Sequence, residues 1–320
     1  HRISPMVRRE CLAICLAAGV LGALGGRVRR ATEGSSGRRS EGRDGAAPLM
    51  GWRSWNLYGE HVNQSMMERI MDGMVSKTRK VNGKPTSLCD IGYCDVGLDD
   101  NWQEFENSHK NFWLGNGWAY HDKDEDGSHY PRVNTRLFPD MSGMTNHAHQ
   151  KGLKAGWYMN NCLNVGKLMQ AKEILSWFLA PCLLHRAPRA VYEGDLKALV
   201  KYGFDSVKLD NCGFQRDDDL WAQLLNESGR QITIEGCKWG LVVPTETWCP
   251  WDYWRTGWDI RASYGSVLEA LHFTDTVAKK GLSRPGCWAY PDMLQVGCSH
   301  GPGGDNDPGL SFAEARSHFG

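Results

Sequence analysis

The segment YGFDSVKLDNC, at residues 202–212, joins a helix end to a buried strand and a polar strand end. Gly203 follows a helical pattern, as a C-terminal cap glycine does, and an apolar run follows at 206–209. Alternation along a strand points Lys208 and Asp210 to the same face. A neighbouring cation keeps a carboxylate ionised, as a covalent nucleophile requires, but a strand-end salt bridge explains the same two residues more simply.

The same succession of helix, glycine and strand is repeated along the chain from Pro48 onward. Strand-like runs occur at residues 50–55, 93–98, 155–159, 206–209, 232–235, 254–256 and 289–294. Helical patterns occur between and after them, at 64–77, 141–151, 194–202, 218–226, 264–273 and 311–318. This alternation predicts a parallel α/β sheet. Because polar residues follow several of the strands, we predict a (β/α)8 TIM barrel whose active site lies at the carboxyl ends of its strands.

The number of strand-like runs is seven, whereas a closed barrel of this type has eight strands. An open barrel would leave two unpaired strand edges. We therefore expect residues 48–320 to form a catalytic barrel that is truncated after its seventh strand. An apolar stretch at about 164–189 interrupts the loop after the third strand, and it is either an added amphipathic helix or an insertion from gene prediction.

Composition and the N-terminal segment indicate a secreted protein. Lysine plus arginine and aspartate plus glutamate both number 37, so the formal net charge is zero and nucleic acid is disfavoured as a partner. Residues 1–25 have the pattern of a signal peptide that starts at Met6, and their apolar run is too short to span a membrane. Residues 26–47 are expected to be a disordered spacer. Glycosylation sequons at Asn63 and Asn226 fit secretion or delivery to a lysosome or vacuole.

The cysteine pattern favours disulfides over metal binding. Of 11 cysteines, Cys11 and Cys15 fall in the predicted signal peptide, and the odd number that remains leaves at least one thiol free. Residues 122–127 resemble the opening of a calcium loop, but Val133 stands where the bidentate glutamate belongs. We therefore predict no metal site.

A second strand-end carboxylate is predicted in the segment WRTGWDI, residues 254–260. Asp259 follows the sixth predicted strand, and Arg255 lies four positions before it. Two positioned carboxylates in different surroundings divide the roles of nucleophile and general acid/base in glycoside hydrolysis. A retaining enzyme separates the two groups by about 5–5.5 Å and an inverting enzyme by about 6.5–9.5 Å, a difference that sequence does not reveal.

Seven motifs in order give the chain a family resemblance. They are MGWRSWN (50–56), GYCDVGLDDNW (92–102), FPDM (138–141), KGLKAGWY (151–158), YGFDSVKLDNC (202–212), WRTGWDI (254–260) and YPDMLQVG (290–297). The chain resembles the α-galactosidases of the melibiase family, glycoside hydrolase family 27 of clan D, and within it a plant and protist branch. The resemblance implies a retaining glycosidase that removes terminal α-D-galactosyl residues from oligosaccharides or glycoconjugates, without a metal or organic cofactor. It leaves the oligomeric state open.

The resemblance also implies a role for each matching residue. Asp210 matches the nucleophile and Asp259 the acid/base, while Asp99 and Asp100 match carboxylates that hold sugar hydroxyls. The remaining matches line the substrate pocket: Trp55, Tyr158, Lys208, Arg255, Asp292 and Met293. Lys238 stands where the family commonly has a residue that contacts the 2-hydroxyl. For Trp52 and Trp239, core packing is the expected role.

The same resemblance implies two disulfides and leaves several activities open. The expected pairs are Cys162–Cys212 and Cys237–Cys249. Because Lys238 departs from the family pattern, β-L-arabinopyranosidase activity is one alternative to α-galactosidase activity. α-N-Acetylgalactosaminidase activity and a carbohydrate-binding pseudoenzyme are the others. The family's eighth strand and its C-terminal β-sandwich have no counterpart in the sequence.

Overall fold

A computed structural model of the chain describes residues 49–104, 121–123, 128–160, 189–210, 217–298 and 309–319. The predicted signal peptide (1–25) and spacer (26–47) lie outside these residues. So do nearly all of the apolar stretch at 164–189 and the pair expected between Cys162 and Cys212. All seven predicted strands fall within the described residues.

The main sheet of the described residues has seven strands, and all of its neighbouring pairs are parallel. These strands are β1 (Gly51–Arg53), β4 (Asp95–Gly97), β7 (Lys154–Met159), β8 (Ser206–Leu209), β9 (Thr233–Gly236), β10 (Tyr253–Arg255) and β11 (Trp288–Tyr290). Their order in the sheet is their order in the chain. The parallel α/β sheet and its seven strands are thus confirmed, while truncation before an eighth strand stays a prediction.

Two antiparallel hairpins accompany the sheet. They pair β2 (Arg79–Val81) with β3 (Lys84–Thr86) and β5 (His121–Lys123) with β6 (His129–Pro131). The first hairpin turns at Asn82-Gly83, where both φ angles are positive, at 51° and 77°. An Asn-Gly pair favours this turn geometry because both residues tolerate the left-handed region.

Helices follow the strands as predicted, with one addition. The described helices are α1 (Trp55–Tyr58), α2 (Gln64–Val75), α3 (Met141–Gln150), α4 (Arg189–Tyr202), α5 (Asp218–Glu227), α6 (Tyr264–Ala278) and α7 (Phe312–Phe319). Only the short helix α1 was not predicted. Contacts join α2 to α3, α3 to α4 and α4 to α5. None of these helices is long and apolar enough to cross a membrane.

Local signals fix where the helices begin and end. The side chains of Asn63, Asp140 and Asp217 each accept a hydrogen bond from a backbone N–H in the first turn of α2, α3 and α5. Gly152 and Gly203 follow α3 and α4 with φ of 75° and 85°, so the predicted cap glycines are confirmed. Each cap turns the chain directly into the next strand of the sheet.

Aromatic rings pack around the central strand β7. Trp157 on β7 is fully buried, and its ring stacks on Phe204 with centroids 4.7 Å apart and an interplanar angle of 12°. It also contacts Trp102, at 4.4 Å between centroids. Burial of each such ring contributes about 2–3 kcal/mol. This buried packing fixes the position of β7, and with it the polar residues at the carboxyl end of the strand.

The described cysteines do not pair as expected. Cys249 is bonded to Cys287 and Cys89 to Cys94, whereas Cys237 is a buried free thiol, so the expected Cys237–Cys249 disulfide is wrong. Cys237 follows β9 and so lies at the carboxyl ends of the strands, while Cys249 and Cys287 precede β10 and β11 and so lie at the amino ends. The two ends of a three-residue strand are about 10 Å apart, beyond the Cα–Cα reach of a disulfide.

Candidate active site

The predicted site residues lie at or just beyond the carboxyl ends of the sheet strands. Asp99 and Asp100 follow β4, Tyr158 and Lys208 lie on β7 and β8, Asp210 follows β8, Lys238 follows β9, Arg255 ends β10, Asp259 lies beyond it, Asp292 and Met293 follow β11, and Trp55 begins α1. Because parallel strands end at one edge of the sheet, these side chains share that edge. They form two contact groups there.

The first group is centred on Lys208. Its Nζ donates a hydrogen bond of 2.9 Å to Asp99 Oδ2 and lies 5.5 Å from the centre of the Tyr158 ring. Tyr158 is the partner of Lys208 in the β7–β8 register, which explains the second contact. Burial acts to lower the pKa of Lys208, but the charges of Asp99 and Asp210 outweigh burial and raise it. The lysine is therefore a permanent cation.

Asp210 is held by Tyr158. The tyrosine hydroxyl donates a hydrogen bond of 2.8 Å to Asp210 Oδ2. Burial, followed by the charges of Asp100 and Asp210, raises the pKa of Tyr158 well above its usual value. The hydroxyl therefore keeps its proton and acts as a donor. The expected combination of a strand-end carboxylate and a nearby cation is present, with an additional phenol donor that fixes the carboxylate's position.

The adjacent carboxyl groups of Asp99 and Asp100 differ in their surroundings. Burial acts to raise the pKa of Asp99, but the charges of Lys208 and Arg53 outweigh it, and the pKa is lowered. Burial raises the pKa of Asp100 to about 6, although the backbone N–H of Asn101 opposes this shift with a hydrogen bond of 2.8 Å. One carboxylate thus stays ionised as an acceptor, while its neighbour gains a proton in mildly acidic solution.

The second group is centred on Arg255. Its Nη2 lies 2.8 Å from Asp259 Oδ1 and 3.1 Å from Asp292 Oδ2. The Asp259 side chain is 65 % exposed, whereas that of Asp292 is 3 % exposed. Burial raises the pKa of Asp292 to about 6, and Arg255 opposes this shift. One arginine therefore orients an exposed carboxylate and a buried one, and the Met293 backbone N–H also binds Asp292, at 2.7 Å.

The buried thiol of Cys237 follows β9, the strand that lies between β8 and β10 in the sheet. Burial raises its pKa well above the usual value, and the charges that modify this pKa come from Arg255, Asp210, Lys208 and Asp259. Asp210 and Asp259 thus follow the two strands, β8 and β10, that flank β9 in the sheet. In the part of the chain that the structure describes, no group of three or more His, Cys, Asp or Glu side chains is arranged to hold a metal ion.

A third set of residues, which sequence reasoning missed, lies beneath the first group. Arg53 Nη2 is 2.6 Å from Glu235 Oε2, and Arg53 Nε is 3.8 Å from Asp99 Oδ2. Glu235 also accepts hydrogen bonds from the Tyr253 hydroxyl, at 3.0 Å, and from the Tyr290 hydroxyl. The available signal was the charge itself, because Glu235 is a charged residue within the bounds of the predicted strand at 232–235, and it is buried in the fold.

Four further residues named in the sequence analysis, two expected in the pocket and two in the core, lie outside these contact groups. Lys238 is buried, and its Nζ lies 3.2 Å from Asp218 Oδ2 at the start of α5. Trp55 is partly buried at the start of α1. Trp52 packs against the core as predicted. Trp239, expected in the core, is only partly buried and contacts the ring of Trp258 instead.

The fold and the site together define a parallel α/β sheet that gathers carboxylates and cationic side chains at the carboxyl ends of its strands. No family model matches the chain. It is 28% identical to an α-galactosidase of Oryza sativa subsp. japonica over 300 residues, which cover 91% of this chain and 57% of the relative. It is 30% identical to α-galactosidase 2 of Arabidopsis thaliana over 282 residues, with coverages of 85% and 57%. The chain is thus similar to plant α-galactosidases over most of its length, which confirms the predicted resemblance, and it spans just over half of theirs.

Solved structures give the same result for the fold. α-Galactosidase I of Mortierella vinacea has a TM-score of 0.59 at 22% identity, with 88% of this chain and 65% of that one covered. The α-galactosidase of Saccharomyces cerevisiae also has a TM-score of 0.59, at 19% identity, with coverages of 86% and 56%. At these identities the likeness concerns the fold alone.

Proposed function

We propose that the protein is a glycoside hydrolase that removes terminal α-D-galactosyl residues from oligosaccharides or glycoconjugates. The observation that carries the proposal is the arrangement of its two carboxylates. Asp210 is buttressed by the Tyr158 hydroxyl beside the Lys208–Asp99 ion pair, and the exposed Asp259 is oriented by Arg255. The similarity to plant α-galactosidases supports the choice of sugar.

The proposed mechanism is a double displacement that retains the anomeric configuration. Asp210 attacks the anomeric carbon as the glycosidic C–O bond breaks, and Asp259 gives a proton to the departing oxygen. Water then attacks the same carbon, Asp259 takes a proton from that water, and the ester to Asp210 breaks. Exposure suits Asp259 to this role, because the water that attacks in the second step can reach the carboxylate and return the proton given up in the first step.

The remaining residues bind the sugar in this proposal. Asp99 accepts hydrogen bonds from hydroxyl groups and Lys208 donates them, both from fixed positions. Asp100, Asp292, Met293 and Trp55 complete the predicted lining. An α-galactosidase of Saccharomyces cerevisiae was solved with raffinose, and we propose a galactose-containing oligosaccharide of this kind as a substrate. Lys238 stands at the position that commonly contacts the 2-hydroxyl in the family, and here it is paired with Asp218. Because of this difference, the assays should compare α-galactosides with β-L-arabinopyranosides and α-N-acetylgalactosaminides.

The test is an activity assay on matched carboxamide variants. We expect Asp210→Asn to lower kcat for a nitrophenyl α-galactoside by at least about a thousandfold, because no nucleophile remains. Asp275→Asn is the control and should leave activity unchanged, since Asp275 on α6 forms an exposed ion pair with Lys279, which follows the helix. Proton NMR of the first product should show the α-anomer. Substantial activity in Asp210→Asn would refute its assignment, and a β-anomer would refute retention.

We also propose that the protein enters the secretory pathway, for secretion or for a lysosome or vacuole. The two disulfides in the described residues support an oxidising compartment. Expression of the full chain in a eukaryotic host, followed by N-terminal sequencing of secreted protein, tests the predicted cleavage after residue 25.

A further inference from the structure

Two tryptophans stand side by side next to the proposed acid/base residue. The ring centroids of Trp239 and Trp258 are 5.6 Å apart, with an interplanar angle of 35°. Trp258 immediately precedes Asp259 and is 42 % exposed, while Trp239 is partly buried. Trp239 lies beyond the end of β9 and Trp258 beyond the end of β10, so two neighbouring strands deliver the rings to one side of the site.

The backbone around both rings is held by close packing. Trp239 has a φ of 53°, in the left-handed region that non-glycine residues rarely adopt. Beside it, Gly240 has a φ of 72°, and a Cβ there would lie 2.3 Å from the Thr256 carbonyl oxygen. A Cβ on Gly257 would lie 2.6 Å from the Phe273 ring. The chain thus approaches its neighbours closely on both sides of the pair and holds a partly exposed aromatic surface in a strained conformation.

Such a surface suits the ring of a sugar or an aryl group. Large exposed aromatic side chains mark binding sites when they are held together, because their faces remain available to apolar faces of a ligand. Asp259 must reach the oxygen between the galactosyl ring and the leaving group. A surface covalently next to Asp259 is therefore placed for the group attached to that oxygen.

We propose that Trp239 and Trp258 bind the ring of the leaving group, either the next sugar of an oligosaccharide or an aryl group. This inference rests on the proposed function, because it concerns the leaving-group side of the same site. The pair orients that ring so that the oxygen to be protonated faces Asp259. The preferred substrates are consequently galactosides whose leaving group contains a ring.

Three substrates distinguish binding of the leaving-group ring from an indirect effect of the mutation on the position of Asp259. α-Galactosyl fluoride has no leaving-group ring and needs no proton. A nitrophenyl α-galactoside has a ring but departs with little protonation, and the disaccharide melibiose has a ring and needs the proton. We expect Trp258→Ala to lower kcat/KM about tenfold for both ring-containing substrates relative to the fluoride, equivalent to about 1.4 kcal/mol of lost binding. Trp258→Phe should restore most of both ratios.

Each other outcome has a defined meaning. A fall for melibiose alone would show that Trp258 positions Asp259, and equal falls for all three substrates would place it on the galactosyl side; either result overturns the inference. Phe312→Ala, which removes an aromatic ring that is 85 % exposed on α7, is the control and should keep the native ratios. If the native chain hydrolyses none of the substrates, the proposed function fails. Tryptophan fluorescence titrations with melibiose and with galactose then decide the inference, which fails if Trp258→Ala leaves their affinity ratio unchanged.

Discussion

The buried pair of Arg53 and Glu235 is expected to contribute strongly to stability because each residue compensates the other's charge. Their side chains are 11% and 3% exposed, and the charged atoms are 2.6 Å apart. Glu235→Gln removes the negative charge and leaves the arginine with Asp99 at 3.8 Å as its remaining described anionic partner. Breaking a buried pair in this way costs about 3–5 kcal/mol, a large share of the roughly 5–15 kcal/mol by which a folded domain is stable.

A double-mutant cycle measures this coupling. The native chain, Glu235→Gln, Arg53→Met and the double variant are unfolded in urea at pH 7, and the free energy of unfolding is extrapolated to water. We expect each single variant to lose about 3 kcal/mol or more and the double variant to lose clearly less than the sum, because it leaves no uncompensated charge. Asp275→Asn is the exposed control and should cost about 0.5 kcal/mol or less.

Two results would refute the reasoning. A single-variant loss below about 1 kcal/mol would mean that the pair is solvated like a surface pair. Additive losses in the double variant would mean that the two side chains do not interact, and that their effects come from unrelated packing.

Three further predictions concern the pH dependence of stability and the disulfides. Because burial raises the pKa of Asp292 from 3.8 to about 6, the folded state binds more protons than the unfolded state between these values. Stability due to Asp292 is present below about pH 4 and is lost as the pH rises through about 6, and Asp292→Asn should flatten this fall in unfolding experiments across that range. Peptide mapping without reduction should recover Cys249 linked to Cys287, with Cys237 alkylated only after unfolding, and a Cys237–Cys249 peptide would contradict the structure. Cys287→Ser should cost about 4 kcal/mol, from a 38-residue separation.

The sheet could be predicted from the sequence because apolar runs and cap glycines are local signals. The run at 206–209 has the same bounds in the structure as in the prediction, and the glycines at 152 and 203 end their helices as expected. The hairpin at Asn82-Gly83 was missed even though its turn signal is strong. Its strands are exposed and carry lysine and arginine, so no apolar alternation marked them.

The site could be predicted only in part, and from motifs rather than from local structural signals. Motifs placed Asp210, Lys208 and Asp99 on the correct edge, but a motif does not give their contacts, such as the Tyr158 hydroxyl that holds Asp210. Glu235 was not identified because its partners come from β1, β10 and β11, which are distant in the chain. Long-range pairs of this kind depend on strand register, which a single sequence does not specify.

The disulfide error has the same origin. The pairing of Cys237 with Cys249 was carried over from the resemblance, without knowledge of where each cysteine falls relative to its strand. The register pairs Tyr253 with Glu235, so Cys237 lies two positions beyond the paired residue and Cys249 four positions before it. The two cysteines are thus six positions apart along the paired strands, which is too far for a disulfide to form between them.

The central claim is that Asp210 is the nucleophile of a retaining galactosidase, and trapping its covalent intermediate tests this claim most directly. The reagent is an α-galactosyl fluoride that carries a second fluorine on its ring. The ring fluorine destabilises the positively charged transition states of both steps, and the fluoride leaving group keeps the first step fast enough for the intermediate to accumulate. After incubation, peptide mass spectrometry should find one fluorinated galactosyl group attached to Asp210, and no adduct in Asp210→Asn. An adduct on Asp259, or turnover of galactosides with inversion and no adduct, would contradict the account.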